Sequence, residues 1–170
     1  MAGFARILMG KMVDPADFRR ALACFASGVT VVTAPGAGRG PVGITVSAFS
    51  SVSLEPPLIL VCLDNRTGAI SCFLAPGSPF AVNVLAEGQA QVSRDFAGPQ
   101  TYDMHGHAAE AGIGGAPLLA GAVASLECRT HAVHEGGDHR IVVGRVEGMR
   151  ATPGARPLVY FQGAYRTLRE

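Results

Sequence analysis

Two strands and a row of hydroxyl groups are encoded by the stretch Gly43-Ile-Thr-Val-Ser-Ala-Phe-Ser-Ser-Val-Ser-Leu-Glu-Pro-Pro-Leu-Ile-Leu-Val-Cys-Leu63. Side chains alternate between the two faces of a strand. One face would therefore carry Ile44, Val46, Ala48, Val52 and Leu54, and the other Thr45, Ser47, Ser51 and Ser53. We expect the first face to be core. The hydroxyl face suits a polar ligand such as a sugar alcohol and its phosphate, although a solvent face of an antiparallel sheet has the same pattern.

The chain on either side of Glu55-Pro-Pro57 belongs to different strands, because proline lacks the N–H that a strand ladder needs. The run from Leu58 to Leu63 is continuously apolar, which predicts a strand covered on both faces. Asp64-Asn-Arg-Thr-Gly68 follows it. An Asx-type turn ahead of a helix leaves free N–H groups, so this turn is either an anion seat beside Arg66 or a plain helix cap.

A helix is predicted from Asp14 to Ser27, with Asp14 as N-cap and Pro15 at the first helical position. Phe18, Ala21, Leu22 and Phe25 share one face of it. Gly28 is the expected C-terminal stop.

The remaining pattern predicts an antiparallel Greek-key barrel rather than a doubly wound sheet, because strands do not alternate with helices. The glycines near 35–41 lack the third glycine and the following helix that a dinucleotide-binding fingerprint requires, and a strand follows them instead. A hairpin loop is therefore expected there. A loop is expected at 97–117. Further strands are predicted at 29–34, 80–85, 122–134, 139–148, 157–161 and 164–168, and short helices before Leu74 and at 87–96.

Length and composition limit the function. A chain of 170 residues fits one domain. Its 14 basic and 13 acidic residues form no basic run, so neither nucleic acid nor an anionic membrane is an expected partner. A hydrophobic content of 48% with only 16% charged residues suggests that a second subunit covers apolar surface. The four cysteines have no metal-ligand spacing, which favours a reduced, cytoplasmic protein.

Side chains for acid–base or nucleophilic catalysis are not placed by any recognisable motif. If the chain is an enzyme, a cofactor is expected to carry the reaction. His105 and His107 flank a glycine without a third ligand nearby, so we expect loop histidines there rather than a zinc site, and no metal is predicted.

Four segments together resemble the flavin reductase-like, FMN-binding split-barrel family. They are the stretch 43–63, the run Phe18–Thr33, the strand Phe80–Leu85 and the triplet Gly137-Asp-His139. The likeness runs from about Asp14 to about Leu168. Residues 1–12 match nothing and are expected to be a leader that precedes a domain at 13–170. Ala23-Cys24 departs from the family, which usually has glycine and a basic or polar residue there.

The resemblance implies a flavin site. The flavin ring would be contacted by Thr45, Val46, Ser47 and Ala48. The ribityl phosphate would be contacted by Ser51, Ser53, Asn65, Arg66 and Thr67. Asn83 and Phe96 would border the flavin site. His139, held by Gly137 and Asp138, would contact the nicotinamide as the catalytic residue. Taken without the motif, a histidine beside a turn is better explained as a solvent-exposed side chain.

The implied activity is that of a homodimeric reductase that transfers hydride from NADH, or NADPH, to FMN or FAD. Reduced flavin would then pass to a separate monooxygenase, without a lasting complex. Two alternatives stay open: a flavin-binding module without catalysis, and an oxidase-type split barrel that holds FMN tightly. Arg66 is the one basic residue near the expected phosphate seat, which favours loose binding.

Overall fold

The computed structural model describes residues 13–36, 38–98 and 104–168. This part of the chain has helices α1 (Pro15–Leu22) and α2 (Ala90–Asp95) and 3-10 turns at Ile70–Phe73 and Ile113–Gly115. Its strands are β1 (Ser27–Gly28), β2 (Thr30–Ala34), β3 (Val42–Val46), β4 (Phe49–Leu54), β5 (Pro57–Asp64), β6 (Pro79–Val84), β7 (Ala109–Ala111), β8 (Pro117–Leu119), β9 (Ala124–Gly136), β10 (His139–Ala151), β11 (Val159–Phe161) and β12 (Ala164–Arg166). The predicted leader at 1–12 lies outside the described residues.

One antiparallel sheet of seven strands dominates, in the order β3-β2-β6-β9-β10-β5-β4. The mainly β, antiparallel fold with few short helices is thus confirmed. The strands β3 and β4 are consecutive in sequence but lie at opposite edges of this sheet. Ser47 and Ala48 connect them, and Ala48 O accepts a hydrogen bond from Cys62 N at 3.0 Å. The sheet therefore curls until its two edges approach, and the barrel stays split at that point.

The prediction of a single strand with one core face from Ile44 to Leu54 was wrong. Ile44 and Val46 are buried, but Val52 is half exposed and Leu54 is 94% exposed. The alternation continues across the corner at 47–48, where the chain leaves one edge of the sheet and joins the other. Phe49, on the predicted hydroxyl face, packs against the core instead.

The core lies on both sides of the central strands. The barrel interior holds Val32, Val61, Phe73, Phe80, Val82 and Val142 among its buried side chains. A second cluster covers the outer face with Val31, Leu85, Phe96, Leu119 and Leu158. Because every residue of β2 is buried, this strand has no solvent face.

Helix α1 begins as predicted, with the Asp14 carboxylate accepting from Ala16 N and Asp17 N. It ends at Leu22 rather than Ser27, and Gly28 belongs to β1. Its apolar face is exposed: Phe18 is 54%, Leu22 56% and Phe25, just beyond the helix, 79% accessible. A face with helical spacing was correctly recognised, but no other part of the described ranges covers it.

The longest strands, β9 and β10, form a hairpin whose turn is Gly137-Asp138. Ser125, a polar residue near the start of β9, is only 1% exposed. The reason is the segment 97–117, which is not a plain loop: its strand β7 pairs with β8, and β8 lies against this part of the sheet. No helix in the described ranges is long and apolar enough to cross a membrane.

Candidate active site

A cleft of about 500 Å³ lies at the split of the barrel. Four segments of the chain form it: the end of β3 with the corner that follows, the end of β5 with the turn after it, the residues that follow α2, and the start of β10. Its described lining is Ile44, Thr45, Val46, Ser47, Ala48, Cys62, Leu63, Asp64, Arg66, Thr67, Phe96, Ala97, Gly98 and His139.

One wall is the edge strand β3, held from behind by α2. Thr45 Oγ1 donates to Ser93 O at 2.7 Å, and Thr45 N donates to Phe96 O at 3.0 Å. A Cβ atom at Gly43 would lie only 2.5 Å from the Phe96 ring. Glycine at position 43 therefore allows the fully buried Phe96 ring to pack closely behind the strand that forms this wall.

Two histidines also contact the Phe96 ring. His105 lies edge-on at 5.2 Å and His107 lies tilted at 5.7 Å, measured between ring centroids. His107 Nε2 is 2.9 Å from Asp95 Oδ2. The hydrogen bond from His107 is the largest cause that lowers the pKa of Asp95. The two loop histidines thus support the wall of the cleft.

The turn after β5 is the predicted Asx turn. Arg66 N donates to Asp64 Oδ1 at 2.8 Å, and Thr67 N donates to Asp64 O at 3.0 Å. The Arg66 side chain folds back on the same carboxylate, with Nε 3.1 and 3.2 Å from its two oxygens and Nη2 2.6 Å from Oδ2. This hydrogen bonding to Arg66 holds the pKa of Asp64 well below its usual range.

The β9–β10 hairpin is fastened to this turn. Asn65 N donates to Asp138 O at 3.0 Å, and Asn65 Nδ2 donates to Gly137 O at 3.2 Å. His139 Nδ1 lies 2.7 Å from Asp138 Oδ1, and this contact is the largest cause that lowers the pKa of Asp138. An ionised carboxylate accepts only, so Nδ1 is the nitrogen that donates. His139 Nε2 is then left for a ligand in the cleft.

Most residues predicted for the site are brought together. Eight line the cleft: Thr45, Val46, Ser47, Ala48, Arg66, Thr67, Phe96 and His139. Asn65, Gly137 and Asp138 adjoin it through the hairpin contacts. Three predicted residues lie elsewhere: Ser51, Ser53 and Asn83. The first two are on β4, beyond the corner, where the Ser53 hydroxyl accepts from Glu55 N at 3.2 Å.

Asn83 is fully buried and bonded inside the fold. Its Oδ1 accepts from Leu119 N and from Ser125 Oγ, both at 2.9 Å. Its Nδ2 donates to Val31 O at 3.2 Å and to Thr33 Oγ1 at 3.1 Å. The side chain fastens the β7–β8 hairpin to the sheet and does not border the cleft.

Several lining residues were not predicted: Ile44, Cys62, Leu63, Asp64, Ala97 and Gly98. Asp64 carried a recognisable signal, because it opens the turn in which Arg66 was singled out. Cys62 carried none, since a cysteine within an apolar strand looks like core. Burial raises the pKa of its thiol, which therefore stays neutral.

Comparison with known proteins identifies the family. The model of the flavin reductase like domain matches residues 22–169. The reductase component of 4-hydroxyphenylacetate 3-monooxygenase from Thermus thermophilus is 46% identical over 89% of this chain and 95% of its own length. The reductase subunit HsaB of a flavin-dependent monooxygenase from Mycobacterium tuberculosis is 36% identical over 92% of this chain and 84% of its own.

Solved structures agree with this assignment. An NADH:FAD oxidoreductase from Streptomyces globisporus superposes with a TM-score of 0.84 at 38% identity, over 94% of this chain and 98% of that one. A second structure of that enzyme contains NAD and FAD fragments and superposes with a TM-score of 0.83. The chain therefore belongs to the family of flavin reductase like domains, as its four sequence motifs predicted.

Proposed function

We propose that this protein is an NADH:flavin oxidoreductase that reduces FMN or FAD and supplies the reduced flavin to a separate monooxygenase. NADPH is the second candidate for the hydride donor. The observation that carries the proposal is the cleft itself. It brings together the wall formed by β3 and the corner after it, the turn that contains Arg66, and the hairpin that carries His139. Relatives named as reductase components of monooxygenases support the same activity. A cytoplasmic location is part of the proposal.

The residues of the cleft fit a flavin. The edge strand β3 presents backbone polar groups that can pair with the edge of a flat heterocycle, and the buried Phe96 ring packs behind this strand. Arg66 and the hydroxyl of Thr67 lie together at one end, which suits a phosphate. The lining is otherwise neutral, apart from Asp64 and His139.

The proposed chemistry asks little of the side chains. A bound flavin accepts hydride directly from a nicotinamide, so the protein must hold two rings in contact rather than move protons. The β3 wall, supported from behind by Phe96, would fix the flavin ring. His139, fastened by Asp138, would hydrogen-bond or stack on the nicotinamide at the rim.

NADH oxidation with FMN, FAD and riboflavin added in turn tests this function. Turnover that depends on added flavin is the expected result, and the rates rank the flavins. Flavin binding without NADH oxidation would instead establish a non-catalytic module. Repeating the assay with NADPH ranks the hydride donors.

We expect the flavin to exchange freely with solution. Arg66 is already occupied by Asp64, so a phosphate in this cleft would be held largely by neutral donors, which form weaker bonds than charged ones. The purified protein should lose most of its flavin on dilution and gel filtration. Retention of a full complement through that treatment would favour the oxidase-type alternative.

We further propose that the protein is a homodimer with the cleft beside the subunit boundary. A groove of about 750 Å³ adjoins the cleft and shares Ser47, Ala48 and Cys62 with it. Its other lining residues include Leu22, Phe25, Phe49, Leu60 and Tyr160. The exposed apolar face of α1 borders this groove, and a second copy of the chain would cover it.

Sedimentation should give a dimer mass at micromolar concentration, with a total interface above roughly 1,000 Å². Phe25→Glu should shift the protein towards monomer and lower its reductase activity, because a charge would be buried in the interface. Met149→Glu is the matched control, since Met149 is a similarly exposed apolar side chain, 77% accessible, on the far end of β10. A monomeric parent protein with full activity would rule out this assembly.

A further inference from the structure

Asp64 places a negative charge in the cleft next to Arg66, which is the one arginine or lysine in the described lining. Of the fourteen lining residues, only Arg66 carries a permanent positive charge, and its guanidinium makes three contacts of 3.2 Å or less with the Asp64 carboxylate. The Asp64 side chain is only 28% exposed, whereas that of Arg66 is 85% exposed. The carboxylate is thus fixed at the cleft, and the arginine is the partner that can turn away.

The local fold does not need this charge. The Asx turn uses Asp64 Oδ1 as acceptor for Arg66 N at 2.8 Å, and an asparagine oxygen would serve equally well. An ion pair as exposed as this one contributes little to stability. The carboxylate therefore has no evident structural function that a neutral amide would not fulfil.

The charge has a definite effect on an anionic ligand. A phosphate that reaches this turn must either share Arg66 with Asp64 or draw it away, and in both cases it lies close to the Asp64 carboxylate, which repels it. The pKa of Asp64 is held below its usual range by Arg66, so the carboxylate stays ionised at neutral pH.

We propose that Asp64 sets a low affinity for the flavin phosphate by competing with it for Arg66, and so keeps the flavin exchangeable. This inference rests on the proposed function, in which the phosphate of FMN or FAD lies at the Arg66 turn. Asp64 thereby acts through Arg66, as a residue that tunes affinity rather than one that takes part in hydride transfer. A reductase that must release its product to another enzyme gains from such a competitor.

Asp64→Asn is the decisive variant. It keeps the turn and frees Arg66, so the Kd for FMN should fall by about fivefold, a change typical of a partly exposed charge contact. The Kd for riboflavin, which has no phosphate, should stay within about twofold of the parent value. Product release should slow at saturating substrate, so that kcat falls while KM for FMN also falls.

Glu87→Gln is the matched control. Glu87 pairs with Arg156 at 2.9 Å and its side chain is 31% exposed, but it lies outside the cleft. This variant makes the same change in net charge and should leave both affinities unchanged. Asp64→Ser, whose hydroxyl can also cap the turn, provides a second neutral variant if the asparagine protein does not fold.

Arg66→Gln separates a failure of this inference from a failure of the proposed site. If Arg66→Gln weakens FMN but not riboflavin, the phosphate does lie at this turn. If Asp64→Asn and Asp64→Ser then bind FMN no more tightly than the parent, the competition is overturned and the site stands. If Arg66→Gln affects FMN and riboflavin equally, the phosphate lies elsewhere, and both the site assignment and the inference are overturned.

Discussion

Replacement of His139 by alanine should lower kcat/KM for NADH by roughly tenfold or more, which corresponds to about 1.4 kcal/mol of lost transition-state stabilisation. The side chain lines the cleft at the start of β10, and its Nδ1 is fixed by Asp138 at 2.7 Å. A ring held in one orientation can present Nε2 to the nicotinamide without losing further side-chain freedom. Steady-state kinetics with varied NADH at saturating flavin measures the effect.

Flavin affinity should hardly change in His139→Ala, because the flavin contacts are assigned to β3 and the Arg66 turn. Direct titration of FMN checks this separately from turnover. His131→Ala is the matched control, since His131 is an exposed histidine on the neighbouring strand β9 that does not line the cleft. Parent-like kinetics in His139→Ala, or weakening of flavin binding alone, would leave His139 as an ordinary solvent-exposed histidine.

The two edge strands of the sheet show which features of the fold hydrophobic alternation can predict and which it cannot. The strand at Leu58–Leu63 was predicted correctly, since it depends on local chemistry, but the expected cover on both faces was wrong: Ile59, Val61 and Leu63 are buried, whereas the other face is only partly buried. The corner at Ser47-Ala48 was not predicted, because alternation with a period of two is the same for one long strand and for two strands at opposite edges. The corner is nevertheless what splits the barrel and creates the cleft.

The site was predictable where its residues belong to motifs. Three features were recognised in the sequence: the hydroxyl residues Thr45 and Ser47, the Asx turn, and the Gly137-Asp-His139 triplet. In the structure they line or adjoin the same cleft. Asp64 itself was passed over as a capping residue, because its contact with the Arg66 side chain cannot be inferred from spacing. Phe96 was predicted as a border residue, but its fit against Gly43 depends on two segments that are distant in sequence.

Asn83 was assigned to the border of the flavin site by the family resemblance, but the structure places its side chain inside the fold. The side chain is 0% exposed and links β2, β8 and β9 through hydrogen bonds of 2.9 to 3.2 Å. We therefore expect Asn83→Ala to destabilise the fold by about 3 kcal/mol, because Leu119 N and Ser125 Oγ lose a buried acceptor and a cavity forms. Urea unfolding at one fixed protein concentration measures this change.

The same variant tests whether Asn83 has any direct role at the flavin. The fraction of Asn83→Ala that remains folded should bind FMN with nearly the affinity of the parent, because no Asn83 atom borders the cleft. Asn65→Ala is the comparison for stability: Asn65 is exposed, its side chain makes one hydrogen bond to Gly137 O, and its loss should cost less than about 1 kcal/mol. If Asn83→Ala kept the stability of the parent and lost only flavin affinity, Asn83 would be a flavin-site residue, as the family resemblance implied. The buried network predicts the reverse, since each polar atom of this amide already has its partner inside the protein.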